Sequence, residues 1–315
     1  MGKNGPWWHV FDYVFLMRPT LMPSVWSLFI FGFCHSPDHV QIYNTLEMFI
    51  PLICLTLVAG AGYIHNQLYD IESDRINNKL FLLPESHISV QSARRWYIYC
   101  SLFAILGGLI YGYWLGLLII LSAFLSYAYN APPFRWKDRP IAGVLANSSG
   151  YGYVAFAIGW GSASTLSWPL LIQAIPYAIG CGSFYLLTTV LDAEGDQKAG
   201  KITMGVKYGV SVTVGVSILF LLAGILSALM IKNYVIFIPY VMSLPLFIWT
   251  MKSMKISHAK ITLGISTLAF SAAAVMCYPP YLGVLFLLLI MVKLYYKHRF
   301  NFDYPPFQIP RETIK

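Results

Sequence analysis

Charge is what this 315-residue sequence has least of: Asp, Glu, Lys and Arg together make up 11%, against 57% hydrophobic residues. A soluble globular domain carries about 25% charged residues, so that class is excluded. Long uncharged runs recur instead, which predicts a polytopic, all-helical membrane protein. Paired cysteines are also missing. Cys34, Cys54, Cys100, Cys181 and Cys277 stand singly in or beside apolar runs, with no Cys-x-x-Cys, which argues against zinc and a disulfide framework. The seven histidines are scattered without metal-ligand spacing. No acidic residue sits at the centre of an apolar run, where ion-coupled transporters usually place one. The first residues lack a signal-peptide layout, and Pro6 stands where a myristoylation motif wants Ser or Thr.

Ten apolar segments are read at 21–35, 46–65, 96–113, 114–130, 141–160, 167–191, 208–231, 233–251, 261–277 and 280–296. The net charge of +8 is distributed over them unevenly. Arg75, Lys79, Arg94 and Arg95 follow segment two, and Arg135, Lys137 and Arg139 follow segment four. Lys198, Lys201 and Lys207 follow segment six; Lys252, Lys255 and Lys260 follow segment eight. Lys3, Arg18 and the basic tail share that face, and only Lys232 lies opposite. The positive-inside rule then puts both termini on the cytoplasmic side. The asymmetry reads as membrane topology, not as nucleic-acid binding.

The scarce acid is concentrated. Six of the thirteen acidic residues fall in Asp70–Asp74 and Asp192–Asp196. Asn66, Asp70 and Asp74 are spaced four apart, so a helix stacks them on one stripe. Two ionised carboxylates at that spacing repel unless a cation lies between them. Asp192 and Asp196 repeat the spacing after another apolar segment, and four intervening segments return the chain to the same face. This predicts one domain over 1–315, built from two pseudo-repeated halves at about 12–140 and 141–296, with one site between them.

Two facing carboxylate pairs on a basic membrane face suit a diphosphate held through Mg²⁺, one pair per ion with the diphosphate bridging two. Neighbouring Lys and Arg would take the outer phosphate oxygens. The metal would help ionise an allylic carbon–oxygen bond, and aromatic faces would stabilise the cation. Tyr63, Tyr127, Tyr129, Tyr151, Tyr153, Trp160 and Tyr185 lie near the relevant segment ends. Apolar helix walls would hold a polyprenyl tail.

These stretches resemble the UbiA superfamily of intramembrane prenyltransferases. Asn66, Asp70 and Asp74 match its Asn-x-x-x-Asp-x-x-x-Asp first motif, and Asp192 and Asp196 its second. The run Asp196-Gln197-Lys198-Ala199-Gly200-Lys201-Ile202-Thr203 is similar to the sequel of the second motif. Tyr129-Asn130-Ala131-Pro132-Pro133-Phe134-Arg135-Trp136-Lys137 resembles the loop joining helices four and five, and Arg18-Pro19 the start of helix one. The resemblance implies a nine-helix core around a central cavity, to which segment ten would be an addition. It implies metal ligation by Asn66, Asp70, Asp74, Asp192 and Asp196. It makes Arg18, Lys137 and Lys201 candidates for diphosphate contacts, with Arg135 in the same loop, and places Tyr129 near the reacting carbon. After the first motif, Phe81, Leu82, Leu83 and Glu85-Ser86 replace the family's Arg-Pro-Leu and Ser-Gly, so the usual Arg is missing and Lys79 is its candidate substitute.

The implied reaction is transfer of a prenyl group from a polyprenyl diphosphate to an aromatic or other lipophilic acceptor. A terpene cyclase of the same superfamily is the alternative within the fold. A transporter whose acidic clusters are merely solvated loops is the alternative outside it, and it would survive Asp70→Asn.

Overall fold

The computed structural model describes residues 8–39, 48–76 and 82–301. Among them the chain is helical, with no strand. In order the helices are α1 (Trp8–Leu16), α2 (Met22–His35), α3 (Phe49–Ile76), α4 (Val90–Tyr111), α5 (Tyr113–Asn130), α6 (Pro140–Asn147) and α7 (Ala155–Gly161). They continue as α8 (Trp168–Gln173), α9 (Ile175–Lys198), α10 (Met204–Met230), α11 (Tyr234–Ser253), α12 (Ile256–Cys277) and α13 (Tyr281–Phe300). A π-helical turn, Ser148–Val154, joins α6 to α7.

Eight described spans are long and apolar enough to cross a bilayer. A ninth is added if α1 and Pro19–His35, bent by 43°, count as one. The helix α4 is 22 residues long, and Arg94 and Arg95 near its start dilute its hydropathy. The ten segments of the sequence therefore each coincide with a helix or helix pair, α4 and the bent pair included. Outward faces carry Ile110, Met276 and Trp168, all at least 80% exposed, as expected where lipid is the solvent. The protein is an integral, multi-pass membrane protein.

Lipid tails are as apolar as leucine, so helices here associate through close contact and hydrogen bonds. α2 and α7 cross where Gly32 meets the Phe156 carbonyl and Gly159 meets the Phe29 carbonyl. Neither backbone could approach so closely past a Cβ. Ser183 and Ser217 bond each other's backbone carbonyl (2.8 and 3.0 Å), tying α9 to α10. Thr250 and Thr262 (2.8 Å) tie α11 to α12.

The two described ends of the chain are joined. Asp12 on α1, 1% exposed, accepts from Tyr295 (2.7 Å) and from Arg299 Nε (3.1 Å) on α13. Gln67 Nε2 donates to the Leu16 carbonyl (2.7 Å), which fixes α1 beside the acidic end of α3. Both described ends thus lie at the face where the acidic stretches lie.

Candidate active site

Asp70 is the centre of the site. It lies inside α3, which continues through the acidic stretch to Ile76, so Asn66, Asp70 and Asp74 do share one stripe. The carboxylate is 7% exposed and fully engaged. Lys137 Nζ lies 2.7 Å and Lys201 Nζ 2.9 Å from Oδ1. Asn66 donates from Nδ2 to Asp70 Oδ2 (3.0 Å) and to Asn130 Oδ1 (2.9 Å). The cation that the carboxylate spacing requires is here supplied by two ammonium groups.

Each lysine is delivered by a local backbone device. α9 ends at Lys198, and Gly200 adopts a left-handed conformation (φ 71°). The Gly200 N–H bonds the Gln197 carbonyl (3.1 Å) and the Lys201 N–H bonds the Asp196 carbonyl (2.9 Å). Those two bonds are a Schellman motif. It folds the chain back so that Lys201 Nζ reaches Asp70, Ser73 Oγ (3.0 Å) and Asp196 Oδ1 (3.5 Å). One lysine therefore links the two acidic clusters. Lys137 comes from the 3-10 turn Trp136–Asp138 and also lies 5.8 Å over the Tyr69 ring. Burial pulls its pKa below the ordinary lysine value against the opposing Asp70 charge. Burial acts the same way on Lys201, but there the carboxylates of Asp70, Asp196 and Asp138 together outweigh it and hold the pKa above the ordinary value.

Below this cluster lies a cavity of about 590 Å³, well within the range of small-molecule sites. Asn66, Asp70, Asp192, Asp196, Lys137 and Lys201 line its polar end, together with Arg18. Arg18 has a left-handed backbone (φ 55°) at the bend between α1 and α2, and its guanidinium stands 5.7 Å from the Tyr63 ring. Tyr63 stacks on Tyr151 (6.1 Å between centroids), and Tyr129 donates to Tyr185 (3.4 Å between hydroxyls). All four tyrosines line the cavity. Tyr151 belongs to the π-helical turn, a rare conformation that often marks functional positions.

Several expected residues lie elsewhere. Arg135 does not line the cavity: its left-handed backbone (φ 39°) turns the side chain outward, onto Asp138 at 2.9 Å. Asp74 is buried one turn beyond Asp70 but is not among the lining residues. Tyr127 stacks on His65, and Tyr153 and Trp160 also stay outside the cavity lining. Lys79 and Phe81 lie outside the described residues. Asn147 and Thr188 line the cavity and carry no signal in the sequence, since each is one ordinary polar residue within an apolar helix. Asn130 belongs to the Tyr129–Lys137 run, but only its pairing with Asn66 in the structure gives it a role.

The donor set is hard oxygen throughout, as Mg²⁺ requires. Among the described residues, no three Asp, Glu, His or Cys side chains converge on one metal position. The oxygens of Asp70, Asp192 and Asp196 at the mouth suit a divalent cation whose remaining positions a bound anion would fill. Its charge points the same way. Asp70, Asp192 and Asp196 in the lining are balanced by Lys137, Lys201 and Arg18, so the mouth has no surplus positive charge for a diphosphate until divalent cations join it.

Comparison with known proteins agrees with this geometry. Residues 20–258 match the model of the UbiA prenyltransferase family. Over 178 residues, 52% of this chain and 42% of the relative, the sequence is 31% identical to 2-acyl-4-prenylphloroglucinol 6-prenyltransferase of Humulus lupulus. Over 165 residues, 51% of this chain and 57% of the relative, it is 33% identical to digeranylgeranylglyceryl phosphate synthase of Sulfolobus acidocaldarius. The chain thus spans about half the length of these relatives. A UbiA homolog from Archaeoglobus fulgidus, solved bound to GPP and Mg²⁺, shares the fold with a TM-score of 0.65 at 19% identity, over 84% of this chain and 99% of that one. The chain belongs to the UbiA prenyltransferase family.

Proposed function

We propose that this chain transfers a prenyl group from a polyprenyl diphosphate to an aromatic or other lipophilic acceptor in the membrane, with Mg²⁺ as cofactor. The observation that carries the reading is Lys201, whose ammonium links Asp70 of the first acidic cluster to Asp196 of the second at the mouth of an apolar cavity. The relatives named above act on unlike acceptors, a phloroglucinol and a glyceryl phosphate by their names, so the shared part of the reading is the prenyl donor.

Asn66, Asp70, Asp192 and Asp196, which line the mouth, would hold the metal, two ions with the diphosphate between them, and Asp74 would join from one turn beyond the lining. When bound, Mg²⁺ supplies positive charge to the departing diphosphate. Lys137 and Lys201, already at the mouth, would move from Asp70 onto phosphate oxygens once cations take their place, and Arg18 would approach from the other wall. The Tyr63–Tyr151 and Tyr129–Tyr185 pairs would then face the allylic carbon and stabilise developing positive charge with their ring faces. The apolar lower wall would take the tail and exclude water from the cation. With the Lys and Arg residues on the mouth's face of the membrane, that face and both termini would be cytoplasmic.

The test is to incubate the protein in lipid with radiolabelled C10 to C20 prenyl diphosphates, with and without Mg²⁺ and membrane lipid extract. Mg²⁺-dependent diphosphate release, with label moving to an extract component, is expected, and Asp70→Asn should abolish it. A labelled hydrocarbon formed without extract would make the protein a cyclase. No release at any chain length would overturn the site.

A further inference from the structure

Beyond the deep end of the cavity lies a cluster of aromatic rings. On four helices the last lining residue is followed, one to four residues further from the acidic mouth, by a buried aromatic. Leu28 is followed by Phe31 on α2, Ala155 by Phe156 on α7, Cys181 by Tyr177 on α9, and Thr267 by Phe270 on α12. Phe31, Phe156 and Tyr177 are 0% exposed and Phe270 is 5% exposed. The rings touch: centroids lie 5.0 Å apart for Phe31–Tyr177 and Phe31–Phe270, and 4.7 Å apart for Phe156–Tyr177. The Tyr177 hydroxyl accepts from Asn233 Nδ2 (3.2 Å), and Asn233 in turn caps α11. The central ring is thus held by its neighbours and by its own hydroxyl.

The distance from mouth to floor follows from two straight readings. Leu55 and Asp70 both line the cavity on α3, and Cys181 and Asp196 both line it on α9. Each pair is fifteen residues apart in sequence. At about 1.5 Å per residue, that is about 22 Å. The diphosphate and its cations, set between Asp70 and Asn66, take roughly the first 6 Å of that length. An isoprene unit adds four main-chain bonds, about 5 Å when extended. The remainder holds about three extended units, or four when the chain bends.

The geometry points to Phe31, Phe156, Tyr177 and Phe270 as the floor that sets prenyl chain length, and to a C15–C20 allylic diphosphate as the donor. This rests on the prenyl-transfer reading of the same cavity. Aromatic rings suit the task because displacing any one of them breaks several ring contacts at once, whereas an aliphatic wall can yield one rotamer at a time.

The experiment measures binding, so it does not depend on finding the acceptor. Thiolodiphosphate analogues of C10, C15, C20, C30 and C45 prenyl chains, which resist ionisation, are titrated into the full-length protein in lipid with Mg²⁺. Affinity should rise at least tenfold from C10 to the C15–C20 optimum and fall at least tenfold by C30. Phe31→Ala should move the optimum to longer chains. Cys181→Phe, which fills the space just above the floor without removing a packed ring, should move it to C10. Equal binding of C20, C30 and C45 by the wild type would overturn the floor while leaving the transfer reading intact, as would C20 binding unchanged in Cys181→Phe. Binding at no chain length would remove the transfer reading and the floor with it.

Discussion

The two ends of the cavity are built on opposed principles. At the mouth, one carboxylate is held by two ammoniums and a carboxamide, an arrangement whose charges are individually costly to bury and stay only because they answer one another. At the floor, four rings from four helices pack on one another with the His35 imidazole beside them, and the one hydroxyl among the rings is satisfied by Asn233. The mouth can exchange partners when a charged ligand arrives. The floor cannot move without losing packing. On the proposed reading, chemistry and length selection fall to opposite ends of one chamber.

The comparison breaks most sharply at Asp70. Asp70→Asn keeps the side-chain shape but leaves Lys137 and Lys201 without their shared counter-charge and removes a proposed metal ligand. Turnover of a prenyl diphosphate should fall by about a thousandfold or more, a loss on the order of 4 kcal/mol in transition-state stabilisation. Chelation of Mg²⁺ with EDTA should reproduce that loss in the wild type, with restoration by added Mg²⁺ and not by Na⁺; activity that survives chelation would remove the metal from the reading.

At the floor the dominant cost is in stability. Phe31→Ala removes a ring that is 0% exposed, and a loss of about 3–5 kcal/mol is expected from the cavity it leaves. Thermal unfolding in detergent measures it, and a shift no larger than that of a lipid-facing control such as Met276→Ala would show that the rings are not a packed unit.

Gly200→Val is the next smaller effect and sharpens the account of the mouth. It leaves Lys201 in place chemically but puts a branched side chain at φ 71°. The left-handed backbone then costs about 1–2 kcal/mol. If the Schellman motif is what delivers the lysine, the KM for diphosphate should rise about tenfold, as it should in Lys201→Met. Equal KM in Gly200→Val and wild type would mean that Lys201 finds Asp70 without the motif. Arg135→Ala should change kcat/KM by less than about twofold, because that side chain faces Asp138 and solvent, whereas Lys137→Ala, two residues on, should cost at least tenfold.

Arg135 and Lys137 also show where sequence reading stops. Both are basic, both sit in one loop, and both were diphosphate candidates. A left-handed residue followed by a 3-10 turn sends one outward and buries the other, and no side-chain property distinguishes them beforehand. Asp74 makes the same point from within a regular helix. It shares the stripe with Asn66 and Asp70, yet the cavity lining stops one turn earlier. The π-helical turn that carries Tyr151 is indistinguishable in sequence from the rest of its apolar segment, because a single inserted residue leaves hydropathy unchanged. The break in α10 at Gly209 (φ 78°) is equally invisible to hydropathy, because a change of backbone angle at one residue alters no side chain.

What the sequence determined alone is everything that depends on local periodicity and on transfer to lipid. That includes the apolar spans, the collection of basic residues on one face, and the four-residue stacking of Asn66, Asp70 and Asp74 on a helix whose axis was already implied. What only the tertiary structure decided is which groups meet across helices. Lys201 answers Asp70, Asn130 answers Asn66, and Phe31, Phe156, Tyr177 and Phe270 pack together from four separate helices. Hydropathy counts how apolar a residue is. It carries no record of which neighbour a side chain will touch, and in a bilayer, where burial alone does not tell inside from outside, that is settled by packing.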